Sequence, residues 1–174
     1  QVIDLRFKRG LQESPDPEVF FGSKRTTLRS AIQQLDYIAE NPDVVALMIH
    51  PNDMMVGFAM QMELREALVR LQAAGKKICV FADVMTDAYY PLLALADGIY
   101  LNEGGIILVD GLAMLVEFWK GTFDKLGIDA QYYRRGKYKS AAETYTRESM
   151  SNASRQARQA VLDDVEVFYR DMLS

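Results

Sequence analysis

The hydrophobic pattern of the chain divides it into alternating strand-like and helix-like segments. "VIDLRF", residues 2–7, alternates apolar and polar positions, the period-two signature of a strand. Residues 10–23, "GLQESPDPEVFFGS", hold two prolines, two glycines and several acids, and read as a loop. Its length suggests a partner-facing or mobile segment. Thr26 or Thr27 is placed to cap a helix with apolar positions at Leu28, Ala31, Ile32, Leu35, Ile38 and Ala39. "NPD" at 41–43 ends it, and "VVALMI", 44–49, is a nearly unbroken apolar run of the kind found in strands covered on both faces.

The alternation continues. A second helix carries Met60, Leu64, Ala67, Leu68 and Leu71 on one stripe, with Gly75 where a terminating glycine belongs. "KICVFA", 77–82, is predicted as a buried strand, followed by a short helix over 91–96 and a strand over "GIYL", 98–101. "GGIILVDG" predicts a further strand, residues 116–126 a helix ending at Gly127, and "DAQYYR", 129–134, a last strand. A final helix aligns Ala157, Val161, Val165, Phe168 and Met172. Strands alternating with helices imply an α/β fold, layered, with mostly parallel strands and flanking helices. The 174 residues fit one domain, 1–174, with a sizeable core, and contain no internal repeat or low-complexity tract.

Composition narrows the function classes. With 49% hydrophobic and 25% charged residues and a net charge of −4, the chain lacks the basic face expected of a nucleic-acid binder. The cluster Arg134, Arg135, Lys137 and Lys139 is too short to change that. No apolar run approaches the roughly 20 residues needed to cross a bilayer. A single cysteine, Cys79, excludes an internal disulfide. The chain opens at Gln1 directly in a strand pattern and closes at Ser174 just after a helical one, so it is expected to be a piece of a longer polypeptide.

Few residues suggest chemistry by themselves. His50 follows a strand in "MIHPND", where α/β folds place ligand-binding loops, and could join Asp53 in a metal or acid/base pair. No HExxH and no second histidine accompany it, and a hydrogen-bonded structural role is the plainer reading. Cys79 has apolar neighbours and reads as a small buried hydrophobe. The methionines at 54, 55, 60 and 62 read as packing. "NEGG" at 102–105 is no phosphate cradle, because neither GxGxxG nor GxxxxGK[ST] occurs. Neither a metal nor a cofactor is expected.

Lys139, in "YRRGKYKSAAETY", stands apart. A lysine works as a general base only when its pKa falls from about 10.4 toward 7–8, a differential of about 4 kcal/mol. Burial and nearby cations both act in that direction. If residues 135–139 run extended, Arg135, Lys137 and Lys139 share one face, and Ser140, Ala141 and Ala142 allow close backbone approach. A solvated basic turn accounts for the same residues, and spacing leaves both readings open.

Several segments together resemble the signal peptide peptidase A family, serine peptidases with a Ser–Lys dyad on a Clp-protease/crotonase-like fold. They are "AENPDVVALMI", "ALVRLQAAGKKICVFADV", "YYPLLALADGIYLNEGG", "LVDGLAML", "FDKLGIDAQYYRRGKYKSAAE" and "RESMSNASRQA". The "DKLGI…RRGKYKSA" portion is the most specific, and by the resemblance Lys139 is the dyad lysine. Where the family's serine precedes Gly-Gly and an aromatic pair, this chain reads "DVMTDAYY", with Thr86 at the serine position and Asp87–Ala88 in place of the glycines. A carboxylate beside a developing oxyanion is repulsive. The family's glycine-rich oxyanion loop here reads "HPNDMM", with Asp53 and Met54 in place of glycine.

Long members of the family carry two tandem copies of the domain, the lysine in the first and the serine in the second, and this chain is similar to the first. The resemblance implies peptide substrates, signal peptides among them, and a C-terminal catalytic domain in the same polypeptide. It further implies a homo-oligomer at the bacterial inner membrane, its soluble part facing the periplasm or another extracytoplasmic side. A second expectation is a catalytically inactive scaffold that assembles the oligomer and holds peptides. A crotonase-like acyl-CoA site is a third, disfavoured because "HPNDMM" offers no evident backbone oxyanion hole.

Overall fold

A computed structural model describes residues 1–6, 11–13, 26–51, 54 and 56–173. Most of the predicted loop over 10–23, and Asp53, lie outside the described residues. The order of elements is β1 (Val2–Arg6), β2 (Leu11–Gln12), β3 (Thr26–Thr27), α1 (Leu28–Glu40), β4 (Ala46–His50), α2 (Phe58–Ala73), β5 (Lys77–Thr86), α3 (Tyr90–Leu93), β6 (Gly98–Leu108), α4 (Lys120–Leu126), α5 (Glu143–Thr146) and α6 (Asn152–Leu173). Two compact units result: Gln1–Gly111 with Met172–Ser174, and Leu112–Asp171.

The first unit is built on a four-stranded parallel sheet ordered β1-β4-β5-β6, consistent with the expected layered α/β architecture. β2 and β3 form a separate parallel pair. The helices begin and end where local chemistry dictates. Thr27 caps α1 by accepting from the Ser30 N–H (3.2 Å), and Asn41–Pro42 stops it. Gly75, at φ +80°, ends α2 in a Schellman motif: its N–H reaches the Gln72 carbonyl (2.8 Å) and that of Lys76 the Leu71 carbonyl (3.2 Å).

The core lies between the sheet and these helices. Leu5, Leu35, Ile49, Leu64, Leu68 and Leu92 converge from β1, α1, β4, α2 and α3 around a small void lined only by apolar side chains. Each such side chain, withdrawn from water, contributes about 1.5–3 kcal/mol. The opposite face of the sheet is less covered. Along β4, buried Leu47 and Ile49 alternate with half-buried Met48, which corrects the expectation of a strand closed on both faces. Cys79, on the same side of the pleat as Phe81, is half-buried rather than fully buried.

Four predicted elements change. The segments "GIYL" and "GGIILVDG" belong to one strand, β6, because a bulge carries the ladder across "NEGG". Ala82 pairs with Leu101 and Val84 with Ile106, so the intervening β6 residues loop out without ending the strand. Gly104 takes φ +81°, and a Cβ at Gly105 would come within 2.9 Å of the Asp83 carbonyl oxygen, so glycine chemistry serves the bulge rather than a chain break. The helix expected over 116–126 starts only at Lys120, after the Trp119 N–H has turned to the Thr144 carbonyl (2.6 Å). "DAQYYR" forms no strand; Tyr132 instead stacks on Tyr145 at a centroid distance of 5.4 Å, and Phe123 stacks on the same ring at 5.9 Å.

Asp97 ties β5 to the turn before β6. Its carboxylate accepts the Ile78 N–H (2.9 Å) and the Lys77 ammonium (2.6 Å). These donors, the backbone amide foremost, hold the carboxyl below the usual aspartate range. With the folded pKa below the unfolded value of about 3.9, this stabilisation is fully present above that value and is lost as pH falls through the folded pKa. Denaturant midpoints measured from pH 6 down to about 2 should therefore fall more steeply for the wild type than for Asp97→Asn, the two curves converging in acid.

Candidate active site

At the carboxyl ends of β1 and β4, His50 Nε2 lies 2.9 Å from Asp4 Oδ1, and Arg6 reaches the same carboxylate (3.0 Å). Arg6 first, with His50 assisting, keeps the Asp4 carboxyl below its ordinary range. The His50 ring also meets Phe81 edge-on at 5.8 Å. This is the hydrogen-bonded, packed histidine of the plainer sequence reading. Among the described residues, no group of three or more His, Cys, Asp or Glu side chains is arranged to hold a metal.

Thr86 closes β5, paired in register with Leu108 of β6. The next residue determines what this loop can do. The Asp87 carboxylate accepts the backbone N–H of Asp110 (2.9 Å) and of Gly111 (3.2 Å), the latter at φ +96°. Two consecutive amides converging on one anion make the backbone nest that commonly holds phosphates and oxyanions. Here the chain's own side chain fills it. Tyr89 completes the loop, with its ring buried and its hydroxyl donating to the Val84 carbonyl.

Lys139 belongs to the second unit. Residues 136–138 form a turn closed by the Lys139 N–H on the Gly136 carbonyl (3.3 Å), with Gly136 at φ +92°. The conditional extended run over 135–139, with three cations sharing one face, is therefore not formed, because the glycine reverses the chain. The cations separate instead. Arg134 turns to Glu143, Lys137 Nζ lies 4.9 Å from the Tyr138 ring centroid, and Lys139 is exposed.

Sequence reasoning passed over Glu143. Its side chain is only 3% exposed, yet it is ionised. Oε1 accepts from Ser151 Oγ (2.7 Å) and Arg134 Nη1 (3.1 Å), while Oε2 accepts the Ser151 N–H (3.0 Å). Both Ser151 donors, ahead of Arg134, place the Glu143 carboxyl below the ordinary glutamate range. Ser151 also accepts from the Ser154 N–H (3.2 Å), capping α6. Arg134 Nη1 further contacts the Lys139 carbonyl (3.4 Å). A lone acid four residues after Lys139, in a run of cations, was the available signal; its burial depends on Arg134 and Ser151, nine and eight residues away.

Comparison with known proteins places these features in a family. Protease 4 of Haemophilus influenzae is 36% identical over 85 residues, 49% of this chain and 14% of that protein. A chloroplastic serine protease SPPA of Arabidopsis thaliana is 25% identical over 136 residues, 78% of this chain and 20% of that protein. Protease 4 of Salmonella typhi is 32% identical over 92 residues, 53% of this chain and 15% of that protein. The chain thus spans about 14–20% of the length of these relatives. The sequence model of peptidase family S49 matches residues 70–174, a stretch that includes Thr86, Lys139 and Glu143. Because that match takes in more than half of the residues, the chain belongs to peptidase family S49.

Proposed function

We propose that this chain is the lysine-bearing domain of a serine peptidase of the signal peptide peptidase type. Lys139 acts as the general base, and the nucleophilic serine comes from a second domain of the same polypeptide. The observation that carries the reading is the Asp87 carboxylate seated on the Asp110 and Gly111 amides beside Thr86. That loop holds a charge of the same sign as the tetrahedral intermediate, so it is unsuited to acyl transfer. The lysine turn, by contrast, keeps the family pattern and leaves Lys139 exposed to a partner group.

In the complete enzyme, the neutral Lys139 amine accepts the serine hydroxyl proton as the oxygen attacks the peptide carbonyl. The resulting ammonium returns the proton to the departing amine. Water, deprotonated by the same lysine, then hydrolyses the acyl-enzyme. The proposed substrates are remnant signal peptides and other peptides, and the enzyme is a membrane-attached homo-oligomer facing the periplasm or another extracytoplasmic side. Among the described residues no helix is long and apolar enough to cross a membrane, so attachment is assigned to the rest of the protein. A direct check is Thr86→Val in the complete protein: peptide turnover should stay within about two-fold of the wild type, whereas collapse of activity would return the nucleophile to this domain.

A silent scaffold is the second reading, favoured by one observation. Within Leu112–Asp171, Tyr169 is the only hydrophobic side chain that is buried among the described residues, while Leu115, Leu126 and Tyr133 are 87%, 66% and 100% exposed. Apolar surface of that kind marks contact with other chains or domains. Failure of a serine-reactive probe to label the full-length protein would select the scaffold.

A further inference from the structure

We infer that the Arg134–Glu143 ion pair, its carboxylate buried and its guanidinium part-exposed, is the positioning device for Lys139, setting both the place of its backbone and the charge balance around its amine. The inference rests on the proposed role of Lys139 as general base.

The geometry supports both parts. One guanidinium nitrogen, Arg134 Nη1, touches the Glu143 carboxylate (3.1 Å) and the Lys139 carbonyl (3.4 Å). The Lys139 N–H is taken by Gly136, and the Glu143 N–H by the Ser140 carbonyl (2.9 Å). The Lys139 backbone is thus held at both its donor and its acceptor, and the carboxylate that holds Arg134 is itself anchored to the cap of α6 through Ser151. Such support suits a side chain that must meet a reacting atom within a few tenths of an ångström.

Charge gives the pair its second role. Arg134 and Arg135 precede the turn, Lys137 and Tyr138 lie on it, and Glu143 follows on α5. Ser151, just before α6, and Gln156, on α6, hydrogen-bond this segment, and neither carries a charge. Glu143 is the one acid in that set and it neutralises Arg134. Removing the acid leaves a cation uncompensated near the lysine, which disfavours its ammonium. Removing the arginine leaves a buried anion, which favours it.

The test measures kcat, KM and the pH dependence of kcat/KM for the complete protein carrying Glu143→Gln, Arg134→Met or Lys139→Met. A lysine base gives a rate that rises through its pKa on the acid side. Glu143→Gln should move that limb to lower pH and Arg134→Met to higher pH, each by about 0.5–1 unit. In both, kcat should fall about 10–100-fold and KM change by less than about three-fold. If Arg134→Met does not accumulate folded, Arg134→Lys, which keeps the charge and loses the fork, should lower kcat with the limb unmoved. A Glu143→Gln enzyme with an unmoved limb overturns the inference, whether its kcat falls or not, since a purely structural role lowers activity without shifting the limb. Activity surviving in Lys139→Met overturns the proposed function itself, so the two failures are told apart.

Discussion

In the complete protein, Lys139→Met should lower peptide turnover by about 10⁴-fold or more while the fold stays intact. A serine hydroxyl is a weak nucleophile until a base removes its proton, and loss of the activating base in a coupled nucleophile–base system removes most of the chemistry at once. Methionine retains an unbranched stem without a group that titrates. Lys139 is exposed, and its backbone contacts, rather than its side chain, close the turn at Gly136. The thermal midpoint should therefore remain within about 2 °C of the wild type. Turnover measured with a fluorogenic peptide, beside a melting curve of the same preparation, checks both halves. Activity close to the wild type would remove Lys139 from the mechanism.

The largest expected effect on stability falls in the other unit. Leu64, on α2, is 2% exposed and lines the small void shared by Leu5, Leu35, Ile49, Leu68 and Leu92. Leu64→Ala deletes carbon next to space that is already unfilled, and the surrounding side chains come from five different elements. Collapse around the deletion would need all of them to move. The cost should therefore reach the upper part of the usual range, about 3–5 kcal/mol, against a total stability of about 5–15 kcal/mol for a domain. Urea denaturation should show a lower midpoint with an unchanged slope. Leu64→Met, which conserves volume, should cost less than about 1.5 kcal/mol. Equal losses in the two variants would mean that something other than cavity creation sets the energy at this position.

How much could be read from the chain depends on whether the deciding contacts are local. α1, α2 and α6 were legible because an apolar face repeats every three or four residues, and because Thr27 and Gly75 mark their ends with their own backbone chemistry. β6 was legible only in pieces. "NEGG" carries every sign of a chain break, and what keeps the strand whole is the ladder supplied by β5, twenty residues earlier. "DAQYYR" has the composition of a strand, but its tyrosines are used in a stack with Phe123 and Tyr145. For the site, Lys139 emerged through the resemblance of its surrounding pattern, since spacing alone also fitted a solvated turn. The extended run imagined for residues 135–139 missed the effect of Gly136. Glu143 stayed hidden because a carboxylate reveals its importance through burial, and burial is set by residues outside its own sequence window.

The seat of Asp87 on the Asp110 and Gly111 amides has a consequence for redesign. A side chain anchored beside its acceptor site behaves as a tethered inhibitor, present there at an effective concentration far above that of any dissolved competitor. An incoming substrate oxygen would have to displace a charged group that cannot diffuse away. Changing Thr86 to serine would supply a hydroxyl and leave the occupant of the amides in place. Any attempt to awaken a nucleophile in this loop must begin by evicting the carboxylate.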